Sequence, residues 1–135
     1  MKKKKQSPKT IETRSDCPIS FALDMFGDKW TLLIVRDLVR VKRMTFKDFL
    51  GSGEGIATNI LSDRLQRLET LGIISKEMSE ADKRSAQYEL TQKGRSLKPV
   101  LRALARWSTG HNPETRIPEE LMRWPDASRR TLARR

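Results

Sequence analysis

A chain of 135 residues is about one domain long and can bury a core of its own. Its 28 Lys and Arg outweigh 17 Asp and Glu, and a net charge of +11 favours a polyanionic partner, nucleic acid ahead of an acidic membrane surface. One cysteine excludes an internal disulfide and suits a reducing compartment. No apolar run is long enough to span a bilayer, and the basic start lacks the apolar stretch of a signal peptide, so the expectation is a cytoplasmic protein with no membrane partner.

Residues 1–15, with the run Lys2 to Lys5, lack periodicity and read as a flexible basic arm. Cys17 and Pro18 start a short helix, because proline at the first helical position has no N–H to leave unsatisfied. Ile19, Phe21, Leu23, Met25 and Phe26 make that helix apolar on more than one side, which suggests a partner such as a second subunit. Gly27 ends it, and Asp28 is placed to cap a helix over 29–39 that is apolar almost all round and therefore central. After the basic connector 41–45, Met44 to Phe46 suit a brief strand, and Thr45 caps a short helix bearing Phe46, Phe49 and Leu50.

The glycine-rich turn 51–55 leads into the stretch around which the chain is organised. Leu61, Leu65 and Leu68 recur at helical spacing over about 57–70, with Thr58, Asn59, Ser62, Asp63 and Gln66 roughly opposite, and Gly72 suits a left-handed C-terminal stop. The period then changes. Residues 73–78 and 86–90 read as two strands of a hairpin, joined by the polar connector 79–85 with Lys83 and Arg84 near its tip. Thr91 caps a last long helix with Leu97, Val100, Leu101, Leu104 and Trp107 on one face, kinked or tightened by Pro99 and stopped near Pro113. Residues 113–135 read as a basic tail with at most one short helix near 119–123.

The fold class is therefore mainly α with a small β-hairpin wing, a winged helix-turn-helix over residues 16–112. In that arrangement the second helix of the motif lies in the major groove and the hairpin tip, here about 79–85, reaches the backbone or minor groove. With these elements in order, the chain resembles the HxlR-type family of bacterial winged-helix transcriptional regulators, relatives of the MarR group. The resemblance rests on Cys17 and Pro18 upstream of Gly27, Asp28, Lys29 and Trp30; on Phe46 and Phe49; on the run Ile60 to Leu65 followed by Leu68, Glu69 and Leu71 to Ile74; and on Tyr88 to Thr91 leading to Gly94 and Leu97. It implies a homodimer, paired through the first and last helices, on a near-palindromic operator in double-stranded DNA, and the chain reads as a repressor. It also implies that Cys17 is a candidate redox sensor, since in some members the cysteine at this position senses oxidants. Three departures stand out: Ala57 replaces a small hydroxyl residue at the helix start, Asn59 sits at a position that is often basic or amide-bearing, and the turn 51–55 is longer and richer in glycine.

Thr58, Asn59, Ser62 and Asp63 are the candidates for base-edge contact, with Asn59 suited to adenine and Asp63 to cytosine or to orienting Arg67; the plain alternative is a solvated face. Arg64 and Arg67 suit phosphates, or ion pairs with Asp63 or Glu69. Lys83 and Arg84 suit the wing contact, and Lys29, Lys42, Arg43 and Lys47 rank lower as phosphate contacts. A cysteine just before a helix feels the positive dipole end, which favours a reactive thiolate; the alternative for Cys17 is an inert structural thiol. Trp30 and Trp107 suit the core or a dimer interface, and His111 suits a helix C-terminus. With one Cys, one His, no metal-ligand spacing and no phosphate-binding glycine motif, no catalytic pair, metal site or cofactor is expected. The rival to a DNA-binding regulator is a winged-helix adaptor for protein or RNA whose basic tails supply non-specific DNA affinity.

Overall fold

A computed structural model describes residues 15–78 and 85–122. The expected basic arm, the wing residues Lys83 and Arg84 and the end of the tail lie outside them. The described chain forms α1 (Pro18–Phe26), α2 (Thr31–Arg40), β1 (Met44–Thr45), α3 (Phe46–Leu50), α4 (Thr58–Thr70), β2 (Ile74–Met78), β3 (Ala86–Leu90), α5 (Gln92–Arg95), α6 (Lys98–His111) and α7 (Glu119–Met122). The architecture is a winged helix-turn-helix, with α3 and α4 as the motif and β2–β3 as the wing hairpin.

One core joins the helices to the sheet. Leu61, Leu65 and Leu68 of α4 are buried, as their spacing predicts, and meet Val35 of α2, Phe49 of α3 and Ile73 and Ile74 after α4. Each such leucine contributes about 1.5–3 kcal/mol on burial. The Phe49 ring stands edge-on to Tyr88, with centroids 6.1 Å apart. Gly72 takes φ 77°, and α4 ends in a Schellman motif: the Ile73 N–H reaches the Leu68 carbonyl and the Gly72 N–H reaches that of Glu69. Thr45 and Asp48 form a reciprocal capping box on α3.

The brief strand expected at Met44 to Phe46 forms as β1, and two other features differ from the expectations. The hairpin is part of a three-stranded antiparallel sheet in the order β1-β3-β2, because Met44 and Thr45 pair with Tyr88 and Gln87 and make β3 central. The single long last helix is two. Thr91 caps α5 by accepting from the Gly94 N–H, and the Leu97 N–H turns back to the Gly94 carbonyl. A new helix then begins at Lys98 with Pro99 in its first turn, where proline fits and a continuous helix would not. Finally, the folded unit extends past residue 112. Leu121 of α7 is buried in the core, and Arg102 Nε donates to its carbonyl at 3.0 Å.

Gly94 sits where the hairpin base meets α5. A Cβ there would collide with the Ile73 carbonyl oxygen and crowd a Leu90 methyl. Gly94→Ala is expected to lower stability by about 1–3 kcal/mol, the usual cost of overpacking, read as a lower urea midpoint with unchanged m-value.

Candidate nucleic-acid interface

The α4 helix carries its leucines inward and leaves Thr58, Asn59, Ser62, Asp63 and Gln66 exposed. The structure therefore brings the four candidate base-contact residues onto one accessible surface, and Gln66, on the same face, extends it. Ala57 occupies the N-cap and makes no side-chain cap bond. The start of α4 thus has no side chain answering its first N–H groups, and the positive end of its dipole is open.

Of the two roles expected for Arg64 and Arg67, phosphate contact and ion pairing, the structure shows protein partners for both, Asp63 among them. Arg64 Nε donates to Asp28 Oδ2 at 2.9 Å, and its Nη1 donates to Asp63 Oδ2 at 2.6 Å. Arg67 Nη2 donates to the Asp24 carbonyl at 2.6 Å, with the Met25 carbonyl at 3.4 Å. Those carbonyls belong to the last turn of α1, so Arg67 serves as its C-terminal cation. Asp63 pairs with Arg64, and Glu69 is replaced as a partner of Arg67 by backbone. The two arginines thereby fasten α4 to α1 and to the start of α2, through groups that lie far away in sequence.

Asp28 is the centre of this joint. Its Oδ2 also accepts from the backbone N–H groups of Trp30 and Thr31, at 3.0 and 3.1 Å, and its Oδ1 accepts from the Thr31 hydroxyl. The expected cap is present, although α2 begins at Thr31, two residues later than the sequence pattern suggests. Burial pushes the Asp28 carboxyl up, but the bonds from Thr31, Arg64 and Trp30 outweigh it and hold its pKa at about 2, against an ordinary 3.8. A further brace lies beneath the glycine-rich turn. Arg36 Nη1 donates to Glu54 at 2.9 Å while Nε and Nη2 hold Asp37, which ties the approach to α4 onto α2.

The lower-ranked cations divide. Lys29 is exposed, with its ammonium 4.5 Å from the Trp30 ring centroid, and Lys47 is exposed on α3. Arg43 donates to Glu89 at 2.8 Å, and Lys42 lies beside it at the base of the hairpin. Cys17 is exposed at the N-cap of α1. His111 stacks on Trp107 at the end of α6, with Nδ1 2.9 Å from the Trp107 carbonyl. Among the described residues no group of three His, Cys, Asp or Glu is placed to hold a metal ion, and no helix is long and apolar enough to cross a membrane.

The profile of the HxlR-like helix-turn-helix family matches residues 25–116. An HTH-type transcriptional regulator of Synechocystis is 37% identical over 94 residues, covering 70% of this chain and 69% of the relative. The crystal structure of PA1607, a candidate transcription factor, superposes with a TM-score of 0.67 at 36% identity, over 73% of this chain and 68% of that one. The redox regulator HypR in its oxidised form gives 0.64 at 27% identity, over 71% of this chain and 98% of that one.

The low Asp28 pKa has a pH signature. Because the folded value is depressed, the stability it carries is present above pH 3.8 and is lost as pH falls through about 2. Asp28→Asn is expected to cost about 1–2 kcal/mol at neutral pH, with the difference from the parent shrinking below pH 3.8. Urea midpoints of the two proteins across that pH range measure it; a difference that stays constant down to pH 2 would show that the charge is not what matters.

Proposed function

This chain belongs to the HxlR-like helix-turn-helix family, whose members are transcriptional regulators and not enzymes, and from that premise we propose that it is a cytoplasmic, dimeric repressor that reads a near-palindromic operator. The observation that carries this reading is the division of labour on α4. Thr58, Asn59, Ser62, Asp63 and Gln66 are exposed on its outward surface, while Arg64 and Arg67 hold the helix from behind. Short polar side chains on a helix held in one orientation suit base edges in the major groove, where an asparagine pairs with adenine through two bonds. The unanswered N–H groups at Ala57 suit a DNA phosphate, which would complete the cap on binding. Lys83 and Arg84 are placed by their sequence position at the wing connector, where they would hold the flanking backbone.

Pairing of two chains is supported by apolar surface that the monomer leaves open. On α1, Ile19 is 69% and Leu23 55% exposed; on α6, Trp107 is 66% and Leu104 50% exposed. Large side chains left in water on two helices, outside the core, suit a second copy presenting the same pair. Cys17 lies at the head of α1, so an oxidant acting there would act on this interface and, through Arg67, on α4.

Two measurements test the proposal. In fluorescence anisotropy, a protein trimmed to residues 15–122 is expected to prefer the duplex upstream of its own gene over a scrambled one at elevated salt, and Asn59→Ala to lose about 1–3 kcal/mol of that preference. Equal binding to both duplexes, vanishing with the tails, would instead favour an adaptor with non-specific affinity. In sedimentation, the parent is expected to run as a dimer and Leu104→Glu with Trp107→Glu as a folded monomer; Cys17→Ser should remove any oxidant-induced change in duplex affinity. A parent that remains monomeric at high concentration would overturn the pairing.

A further inference from the structure

At the base of the hairpin, away from α4, a cavity of about 350 Å³ opens between the end of α2, the end of β3 and the α5–α6 corner. Leu38, Val39 and Leu90 form its apolar part, and four cations, Arg40, Lys42, Arg95 and Lys98, stand around it. Among the described residues the only carboxylate in the lining is Glu89, and Arg43 engages it at 2.8 Å. Its charge is thus already answered from the β1 side; Arg40 is in turn partly answered, its Nε standing 3.9 Å from Glu120 of α7, and Lys42 and Arg95 keep the field in the lining net positive. The Glu89 carboxyl registers that field: the Arg43 bond holds it below the ordinary carboxylate range, and Lys42 and Arg95 push in the same direction. Arg95 is anchored as well, since its Nη1 donates to the Leu90 carbonyl at 3.1 Å.

The position argues against a role in holding DNA. β3 runs from the wing connector at Ala86 to the hairpin base at Leu90, so the cavity lies at the end of the strand opposite the wing tip. The recognition helix packs on α3 and β2, whereas the cavity is built from α2, β3 and the α5–α6 corner. Like charges gathered around an apolar hollow repel one another unless an anion enters.

We propose that this cavity binds a small organic anion, its phosphate or carboxylate held by Arg40, Lys42 and Arg95 and its short apolar or aromatic body resting on Leu38, Val39 and Leu90. The occupant would join the hairpin base to α2 and to the start of α6, so it would act as an effector by changing how the wing sits relative to the helix that is proposed to pair. This last step rests on the DNA-binding reading; binding of the anion does not.

The test is calorimetry on the full-length protein at constant ionic strength, with phenyl phosphate and benzoate as probes and inorganic phosphate as the control that lacks a body. One organic anion is expected to bind more tightly than inorganic phosphate, with phenyl phosphate and benzoate showing which acid group is preferred. Arg40→Gln with Lys42→Gln is expected to weaken that binding by about tenfold for each charge removed, while leaving the melting temperature and duplex affinity of the unliganded protein unchanged. If neither organic anion outbinds inorganic phosphate, or the double variant binds as the parent does, the cavity takes an adventitious ion only and the proposal fails. Loss of duplex affinity in the unliganded double variant would also overturn it, by assigning these cations to DNA. Failure of the parent to bind any duplex would sink the DNA reading and leave the calorimetric result standing.

Discussion

One carboxylate, that of Asp28, accepts hydrogen bonds from the first turn of α2 and from Arg64 in the middle of α4, and the orientation of α4 depends on it. A buried leucine stripe holds a helix against a core but constrains its rotation and tilt only loosely, since dispersion and apolar burial are non-directional. Charge-assisted hydrogen bonds are directional. Asp28–Arg64 and the Arg67 bonds to the end of α1 supply the missing constraint, one at each of two neighbouring helices. A half-exposed ion pair contributes modestly to stability by itself. Its value is geometric under the proposed function, in which base readout would tolerate little error in the placement of Asn59 or Ser62.

That joint also changes how the basic balance is understood. The excess of cations suggests phosphates everywhere, yet several arginines nearest the helix-turn-helix motif serve the protein itself. Arg36 steadies the turn before α4, Arg64 and Arg67 brace α4, and Arg43 answers Glu89. Among the described residues, Lys29 and Lys47 are exposed, and further cations stand around the cavity at the hairpin base. The same residue type thus does two physically different jobs, and only its neighbours distinguish them.

Arg67 makes the last turn of α1 part of the same unit as α4. The helix proposed to meet a second subunit and the helix proposed to meet DNA therefore share a hydrogen bond, with Cys17 at the far end of α1. Interfaces that repack between discrete arrangements need such a stiff link to carry a shift from one site to another.

What the sequence determined by itself was local and periodic. The leucine spacing of α4, the stop at Gly72, the cap at Thr45, the alternation of Tyr88 and Leu90, and the order of elements were all readable, because each depends on residues within a few positions of one another. The outward set Thr58, Asn59, Ser62 and Asp63 was readable for the same reason: burying one helical stripe exposes its opposite. The tertiary structure decided everything that joins distant residues. It put Arg64 on Asp28 as well as Asp63 and Arg67 on α1 in place of Glu69, set β1 beside β3, drew Leu121 into the core and gathered four cations around one cavity. It also split the last helix at Ser96 and Leu97, just before Pro99, whose position was visible but whose effect, a kink or a tightened first turn, turns on how Gly94 and Leu97 pack at the hairpin base. A side chain's periodicity reports which way it points, whereas its partner is set by whatever the fold brings to meet it.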